Sequence, residues 1–231
     1  MKYIEKKNLD DANRIIDPYL SYAKEQRWFL TEDIYKNHFT SRWRKRDLID
    51  SILLSEQDYR CCYCMKRLNP IKDPEATIEH LIPRSASNGL NFSQYFDTDY
   101  PGLNRNYVCH TDNYKKGTSN EGQYPHHVAY HNFAIACHDC NEKRGNSFII
   151  FPFLLPPDKQ KIDYNRKTGE ITLVDESCSI DDSIKIISMI NKVGLNGRFS
   201  EQLLCTTYGQ EYRYPLTDTI TEYHHLHTII A

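Results

Sequence analysis

Apolar side chains recur at helical spacing in the first quarter of the chain and predict two helices there. The first stripe lies within residues 9–30 and comprises Ile15, Ile16, Tyr19, Leu20, Ala23 and Trp28. Because proline is tolerated at the first helical position, we expect Asp17-Pro18 to open or restart a helix. The spacing returns from Ser41 onward, at Trp43, Leu48, Ile49, Ile52 and Leu53.

Short apolar segments in the middle of the chain predict two strands and a helix. Residues 77–81 form the first strand, which Pro83 ends, and residues 133–136 form the second. A short helix follows from Asn141 and closes at Gly145, since glycine readily adopts the backbone conformation of a helix end. The predicted order is strand, strand, helix.

The C-terminal part is predicted to hold a hairpin and a helix. Lys167-Thr168-Gly169 separates two strand-like segments, residues 161–164 and 170–174. Asp181 or Asp182 caps the helix, which ends at Gly194 and carries apolar Ile184, Ile187, Met189 and Ile190. We therefore expect an α+β protein with a helical segment (1–57), a core (58–147) and a mixed extension (148–231).

Residues 84–131 interrupt the predicted core with a long polar stretch. They are rich in Asn, Ser, Gly and Tyr and contain turn dipeptides such as Asn88-Gly89 and Pro101-Gly102. A loop of this length in a compact domain is usually functional. We interpret it as an insertion that folds over the core or contacts the substrate; a partly ordered surface loop is the alternative.

Composition narrows the class of protein. The 231 residues carry a net charge of −2 and include no apolar run of membrane-spanning length. The N-terminus is charged and lacks an apolar signal core, so we expect a cytoplasmic protein. In a reducing compartment, Cys-x-x-Cys pairs indicate a metal site more than disulfides.

Four of the eight cysteines form two such pairs, Cys61 with Cys64 and Cys137 with Cys140. Four thiolates are the ligand set of a tetrahedral structural zinc site, which leaves no open coordination position. The sequence therefore predicts zinc that holds the chain together without chemistry of its own. The other cysteines are expected to be ordinary thiols: Cys62, Cys109, Cys178 and Cys205.

Polar residues next to these pairs supply candidate chemistry. Glu79-His80 ends the first predicted strand, Asn132 precedes the second, and Asn141 follows the last cysteine. A carboxylate, an imidazole and two amides are the components of a hard-metal site beside a general base. Asn106, in a stretch that faintly echoes the downstream motif, is an alternative to Asn132.

Glu79-His80, Asn132 and Cys-x-x-Cys-Asn141-x-x-Arg144 together resemble the HNH endonuclease motif, the ββα-metal nuclease fold in its zinc-stapled form. The resemblance covers residues 58–147. It implies that His80 is the general base for phosphodiester hydrolysis and that Asn132 orients it. It also implies that Glu79 and Asn141 bind a catalytic Mg²⁺ or Mn²⁺.

DNA is the expected substrate, with RNA as the alternative, and phosphate contacts require cations. The expected nucleic-acid-binding residues are Arg42, Arg44, Lys45, Arg46, Lys143 and Arg144. The C-terminal pattern is also similar to HNH proteins of Septu-type and retron-linked anti-phage systems, which implies a partner ATPase. The competing hypothesis is a zinc-stapled binding module for nucleic acid or protein, without catalysis.

Overall fold

The computed structural model describes residues 4–25, 48, 52–64, 67–68, 76–86, 90–93, 95–96, 103–146, 162–165, 170–173 and 189–195. Its helices are α1 (Leu9–Glu25), α2 (Leu54–Glu56), α3 (Leu90–Ser93), α4 (Thr111–Lys115) and α5 (His138–Arg144), with a 3₁₀ turn at Tyr130–Asn132. Its strands are β1 (Ala76–His80), β2 (Val108–Cys109), β3 (Tyr124–Pro125), β4 (Phe133–Cys137), β5 (Ile162–Asn165) and β6 (Glu170–Leu173). The described part is thus a mixed structure of short helices and small sheets.

The central sheet is an antiparallel pair of β1 and β4, in which His80 lies opposite Phe133 and Ala76 opposite Cys137. Four of the five β1 residues and all five β4 residues are buried. Helix α5 follows β4 without a loop and ends at Gly145, whose φ of 55° favours glycine. The predicted strand, strand and helix are all present, with the first strand and the helix each starting earlier than expected.

Helix α1 packs its apolar stripe against the core. Ile16, Tyr19, Leu20 and Ala23 are buried as predicted. Pro18, however, lies inside one continuous helix and does not start a new one. Pro18 and Arg14, whose carbonyl loses its helical donor, are both exposed, so water can satisfy that carbonyl.

The segment before α1 is tied to the core by a buried polar cluster around Glu56. Lys6 Nζ lies 3.3 Å from the Glu56 carboxylate, and both side chains are almost fully buried. The Asn8 amide donates to the same carboxylate at 2.9 Å, and the Tyr130 hydroxyl donates to it as well. This cluster fixes the N-terminal segment to the 3₁₀ turn that precedes β4.

The insertion is a folded element in its described part. β2 pairs with β3 in parallel, and α4 packs against β3. Val128, Ala129 and Tyr130 are at most 1% exposed. Within this segment, residues 108–111 and 125–131 are buried, whereas residues 116–118 and 120–122 are exposed.

The C-terminal predictions are tested only in part. β5 and β6 form the predicted antiparallel hairpin, with Asn165 opposite Glu170. Residues 189–193 are helical and end at Gly194, which has a φ of 66°. Several predictions fall on residues outside the described part of the chain. They concern Trp28, Trp43, the helix start at Ser41 and the helix cap at Asp181 or Asp182. Among the described helices, none combines the length and apolar character that crossing a bilayer requires.

Candidate functional site

The four predicted cysteines come together in one buried cluster. The Sγ atoms of Cys61, Cys64, Cys137 and Cys140 all lie within 4.8 Å of one another. The Cys64 and Cys137 sulfurs are 3.8 Å apart. Tetrahedral zinc with Zn–S bonds of about 2.3 Å separates its sulfurs by about 3.8 Å, so this spacing fits such an ion. The cluster is compatible with a structural metal ion such as zinc.

Hydrogen bonds hold the half of the cluster that contains Cys61 and Cys64. An isolated β-bridge between the backbones of Arg60 and Arg67 joins the two ends of the turn that carries these cysteines. The Cys62 amide donates to the Ile135 carbonyl of β4 at 2.9 Å, which fastens this turn to the strand. The Gln57 side chain donates to the same carbonyl at 2.9 Å and accepts from the Ile135 amide at 2.7 Å. The Cys61 turn thus occupies the edge of β4 that β1 leaves open.

Cys62 is buried beside the cluster but is not among its four members. Burial, together with its contact to Cys61, raises the pKa of the Cys62 thiol well above its usual value. The predicted pairing of Cys61 with Cys64 is confirmed. Cys109 is likewise a buried thiol outside the cluster, as expected.

No family model, curated protein or solved structure matches this chain.

His80 lies at the last position of β1, where the strand gives way to a turn. Its Nε2 atom is 3.2 Å from the carbonyl oxygen of His127, and its ring meets Phe133 edge-on at 5.1 Å. A carbonyl oxygen only accepts hydrogen bonds, so Nε2 carries the proton and the neutral ring has its lone pair on Nδ1. The residue as a whole is 9% exposed, at the boundary of the core. This geometry defines which nitrogen of His80 is basic.

Asn132 braces the turn after His80 with its whole amide. Its side-chain oxygen accepts from the Ile82 amide at 2.6 Å, and its nitrogen donates to the carbonyls of Ile82 (2.9 Å) and His126 (2.6 Å). Its backbone carbonyl accepts from the Leu81 amide at 3.0 Å. Asn106 is exposed in a turn of the insertion. Of the two candidate asparagines, Asn132 is therefore the one that braces the turn after His80.

Two buried histidines of the insertion, His126 and His127, lie next to His80 and Asn132. Thr111 Oγ1 lies 2.6 Å from His127 Nδ1 and 3.3 Å from His126 Nδ1, while His126 Nε2 is 3.3 Å from the Arg84 carbonyl. The carbonyl fixes the proton of His126 on Nε2, so Thr111 donates to His126 and accepts from His127. Burial lowers the pKa of His126 to about 4 and that of His127 well below its usual value. Both rings are therefore neutral near pH 7.

Sequence reasoning missed His126 and His127. Their one local signal is the apolar run at 128–130 that follows them, which indicates a buried segment. The parallel pairing of β2 with β3, which brings Thr111 to both rings, involves only two residues per strand and leaves no periodic pattern.

Glu79 is fully buried and forms an ion pair with Arg144. The shortest nitrogen-to-oxygen distance is 2.8 Å, and the two side chains are 0% and 2% exposed. Burial raises the pKa of Glu79 to about 7, against the opposing effect of the Arg144 charge. The carboxylate that the resemblance assigns to a catalytic ion is thus engaged inside the protein.

The remaining predicted residues fall into three groups. The Asn141 amide nitrogen donates to Thr77 Oγ1 at 2.9 Å and to the Ile78 carbonyl at 3.2 Å, on the half of β1 that precedes Glu79. Lys143 is exposed on α5, whereas Arg144 is buried. Outside the described residues lie four of the expected cations: Arg42, Arg44, Lys45 and Arg46.

Proposed function

We propose that this chain is an HNH-type endonuclease that hydrolyses nucleic-acid phosphodiesters, with DNA as its substrate. The observation that carries the proposal is the setting of His80. His80, the last residue of β1, has its Nε2 atom 3.2 Å from the His127 carbonyl, so the neutral ring has its basic nitrogen at Nδ1; β1 pairs with β4, the strand that carries Cys137 of the cysteine cluster. A general base needs this fixed tautomer near neutral pH.

In the proposed reaction, Nδ1 of His80 takes a proton from a water molecule as its oxygen attacks phosphorus. The bond between phosphorus and the 3′ oxygen breaks, the leaving oxygen takes up a proton from solvent, and His80 releases its added proton to solvent. Asn132 keeps the turn at Ile82 and the end of the insertion in register, so that the ring keeps its orientation. Positioned proton transfer of this kind contributes about 10²- to 10⁴-fold in rate.

The resemblance also implies a catalytic Mg²⁺ or Mn²⁺, and that ion is part of the proposal without assigned ligands. Glu79 does not fit as a ligand in this structure, because its carboxylate is fully buried and paired with Arg144. Asn141 uses its amide nitrogen on β1.

The decisive experiment is cleavage of supercoiled plasmid with Mg²⁺, Mn²⁺ or EDTA. His80→Ala is expected to cut at least about 10²-fold more slowly than the unaltered protein. The matched control is His138→Ala, since His138 is a largely exposed histidine on α5. Equal cleavage by His80→Ala and the unaltered protein would show that His80 is not the base.

A zinc-stapled binding module without catalysis is the second candidate, and the buried Glu79–Arg144 pair favours it. Retardation of the plasmid in a gel without cleavage, both for the chain alone and together with the product of the neighbouring gene, would favour this second function over the nuclease. The same samples therefore separate the two functions.

We further propose that the nuclease works with a partner ATPase in anti-phage defence. The apolar stripe of α1 is already buried in the core, so a partner would meet the outward face of that helix. Co-expression with the product of the neighbouring gene, followed by size-exclusion chromatography, tests this. Separate elution of the two proteins, with full cleavage by the nuclease alone, would contradict it.

A further inference from the structure

Arg144 binds three oxygen atoms around the position of His80. Its Nη1 atom lies 2.8 Å from the Glu79 carboxylate and donates to the His80 carbonyl at 2.8 Å. Its Nη2 atom donates to the Leu81 carbonyl at 2.6 Å. The fork of the guanidinium thus holds two successive peptide groups at the end of β1, the one that follows His80 and the one that follows Leu81.

We propose that Arg144 and Glu79 form a positioning pair for His80, in place of contacting a phosphate and a catalytic ion. This inference rests on the proposed function, because it assigns the pair to the orientation of the general base. The burial of both side chains carries it: a guanidinium that is 2% exposed and a carboxylate that is 0% exposed meet each other.

The opposite charges of Arg144 and Glu79 explain why the two residues are buried together. A buried arginine without a counter-charge would be strongly destabilising, and so would a buried carboxylate. Glu79 neutralises the guanidinium where two carbonyl oxygens need strong donors, and a planar fork can reach both at once. A lysine ammonium at the same site lacks that geometry.

The pair also links His80 to the cysteine cluster. Arg144 lies four residues after Cys140, about one helical turn further along α5. A shift of α5 would therefore move the guanidinium and, through it, the His80 backbone. The His127 carbonyl holds the ring from the other side, at Nε2. A small shift of this kind can matter for the reaction rate, since a displacement of about 1 Å can lower a rate about 10²-fold.

Two conservative variants test the assignment, with zinc content and circular dichroism as checks of folding. Arg144→Lys keeps the charge but loses the fork, so kcat is expected to fall about 10²-fold with KM unchanged. Arg14→Lys is the matched control, because Arg14 is an exposed arginine of α1. A raised KM with unchanged kcat in Arg144→Lys would mean a phosphate contact and would overturn the proposal, as would unaltered kinetics.

Glu79→Gln tests the carboxylate of the pair, and the glutamine keeps a side-chain oxygen that can face the Arg144 guanidinium. A positioning role predicts less than about a tenfold loss of kcat and an unchanged half-saturating Mg²⁺ concentration. A rise of more than about tenfold in that concentration would identify Glu79 as a metal ligand and overturn the proposal.

Histidine ¹⁵N NMR separates this inference from the proposed function, since it needs no activity. The His80 ring is expected to show the Nε2–H tautomer, and Arg144→Lys is expected to give a mixture of tautomers. An unchanged His80 spectrum in Arg144→Lys would refute the positioning role even in a chain that cuts nothing. A changed spectrum in a protein that does not cut would support the positioning role and reject the nuclease.

Discussion

Replacing one member of the four-cysteine cluster tests the contribution of a bound structural metal ion to stability. Cys140→Ser removes one of four sulfurs that lie within 4.8 Å of one another and puts a poor zinc ligand in its place. Cys62→Ser is the matched control, because Cys62 is a neighbouring buried thiol outside the four.

The expected magnitudes of the two substitutions differ widely. A structural zinc site contributes about 10–16 kcal/mol to folding, whereas a whole domain is stable by only about 5–15 kcal/mol. The loss of a ligand is therefore expected to unfold or aggregate the chain. Cys62→Ser alters one buried contact and is expected to cost about 1 kcal/mol, within the usual range for a point substitution.

Elemental analysis and urea unfolding measure both quantities. We expect about one zinc per chain in the unaltered protein and in Cys62→Ser, and a lowered unfolding midpoint after chelation. Cys140→Ser is expected to lose the metal and the cooperative transition. A well-folded protein without zinc, or a Cys140→Ser variant with unchanged zinc and midpoint, would refute the structural role of the cluster.

Two further predictions concern the insertion and the turn that it contacts. Burial lowers the pKa of His126 to about 4, so the unfolded chain, with an ordinary histidine pKa, takes up the proton at higher pH than the folded chain does. The free energy of unfolding should therefore fall by about 3 kcal/mol as the pH drops from about 6.5 to about 4. The raised pKa of Glu79 changes the free energy of unfolding with pH in the opposite sense. Urea unfolding at pH 7 and pH 5 is therefore compared between the unaltered protein and His126→Gln. An equal pH dependence of the unfolding free energy in the two proteins would contradict the lowered pKa of His126. Asn132→Ala strands three buried backbone groups and should cost about 3 kcal/mol or more, against about 0.5 kcal/mol or less for exposed Asn106→Ala. Similar unfolding midpoints for the two asparagine variants would argue against the bracing role.

The elements and contacts that sequence predicted correctly depend on local patterns. The Cys-x-x-Cys spacing identified all four members of the cluster, and the two strand-like segments on either side of Lys167-Thr168-Gly169 contain the paired strands β5 and β6. Pro18 shows the limit of a local rule, because its exposed position inside α1 depends on packing that the dipeptide does not encode.

The electrostatic state of Glu79 could not be predicted from its neighbours in sequence. A carboxylate beside a histidine at a strand end is equally compatible with an open metal site and with a buried ion pair. The partner that distinguishes them, Arg144, lies 65 residues away and reaches Glu79 only because α5 follows β4 without a loop. The sequence analysis expects both Lys143 and Arg144 to contact nucleic acid; α5 exposes Lys143 and buries Arg144.

The insertion accounts for the long interval between His80 and Asn132. A segment that only covered the core would leave His80 unchanged when removed, but this one supplies the His127 carbonyl that fixes the His80 proton. Asn132 then joins the end of the insertion, at His126, to the turn after β1, at Ile82. Because Thr111 and His126 hold His127 from within the insertion, the tautomer of His80 depends on residues about thirty to fifty positions away in sequence. On the proposed function, a shortened insertion would therefore lose the general base even with His80, Asn132 and the cysteine cluster intact.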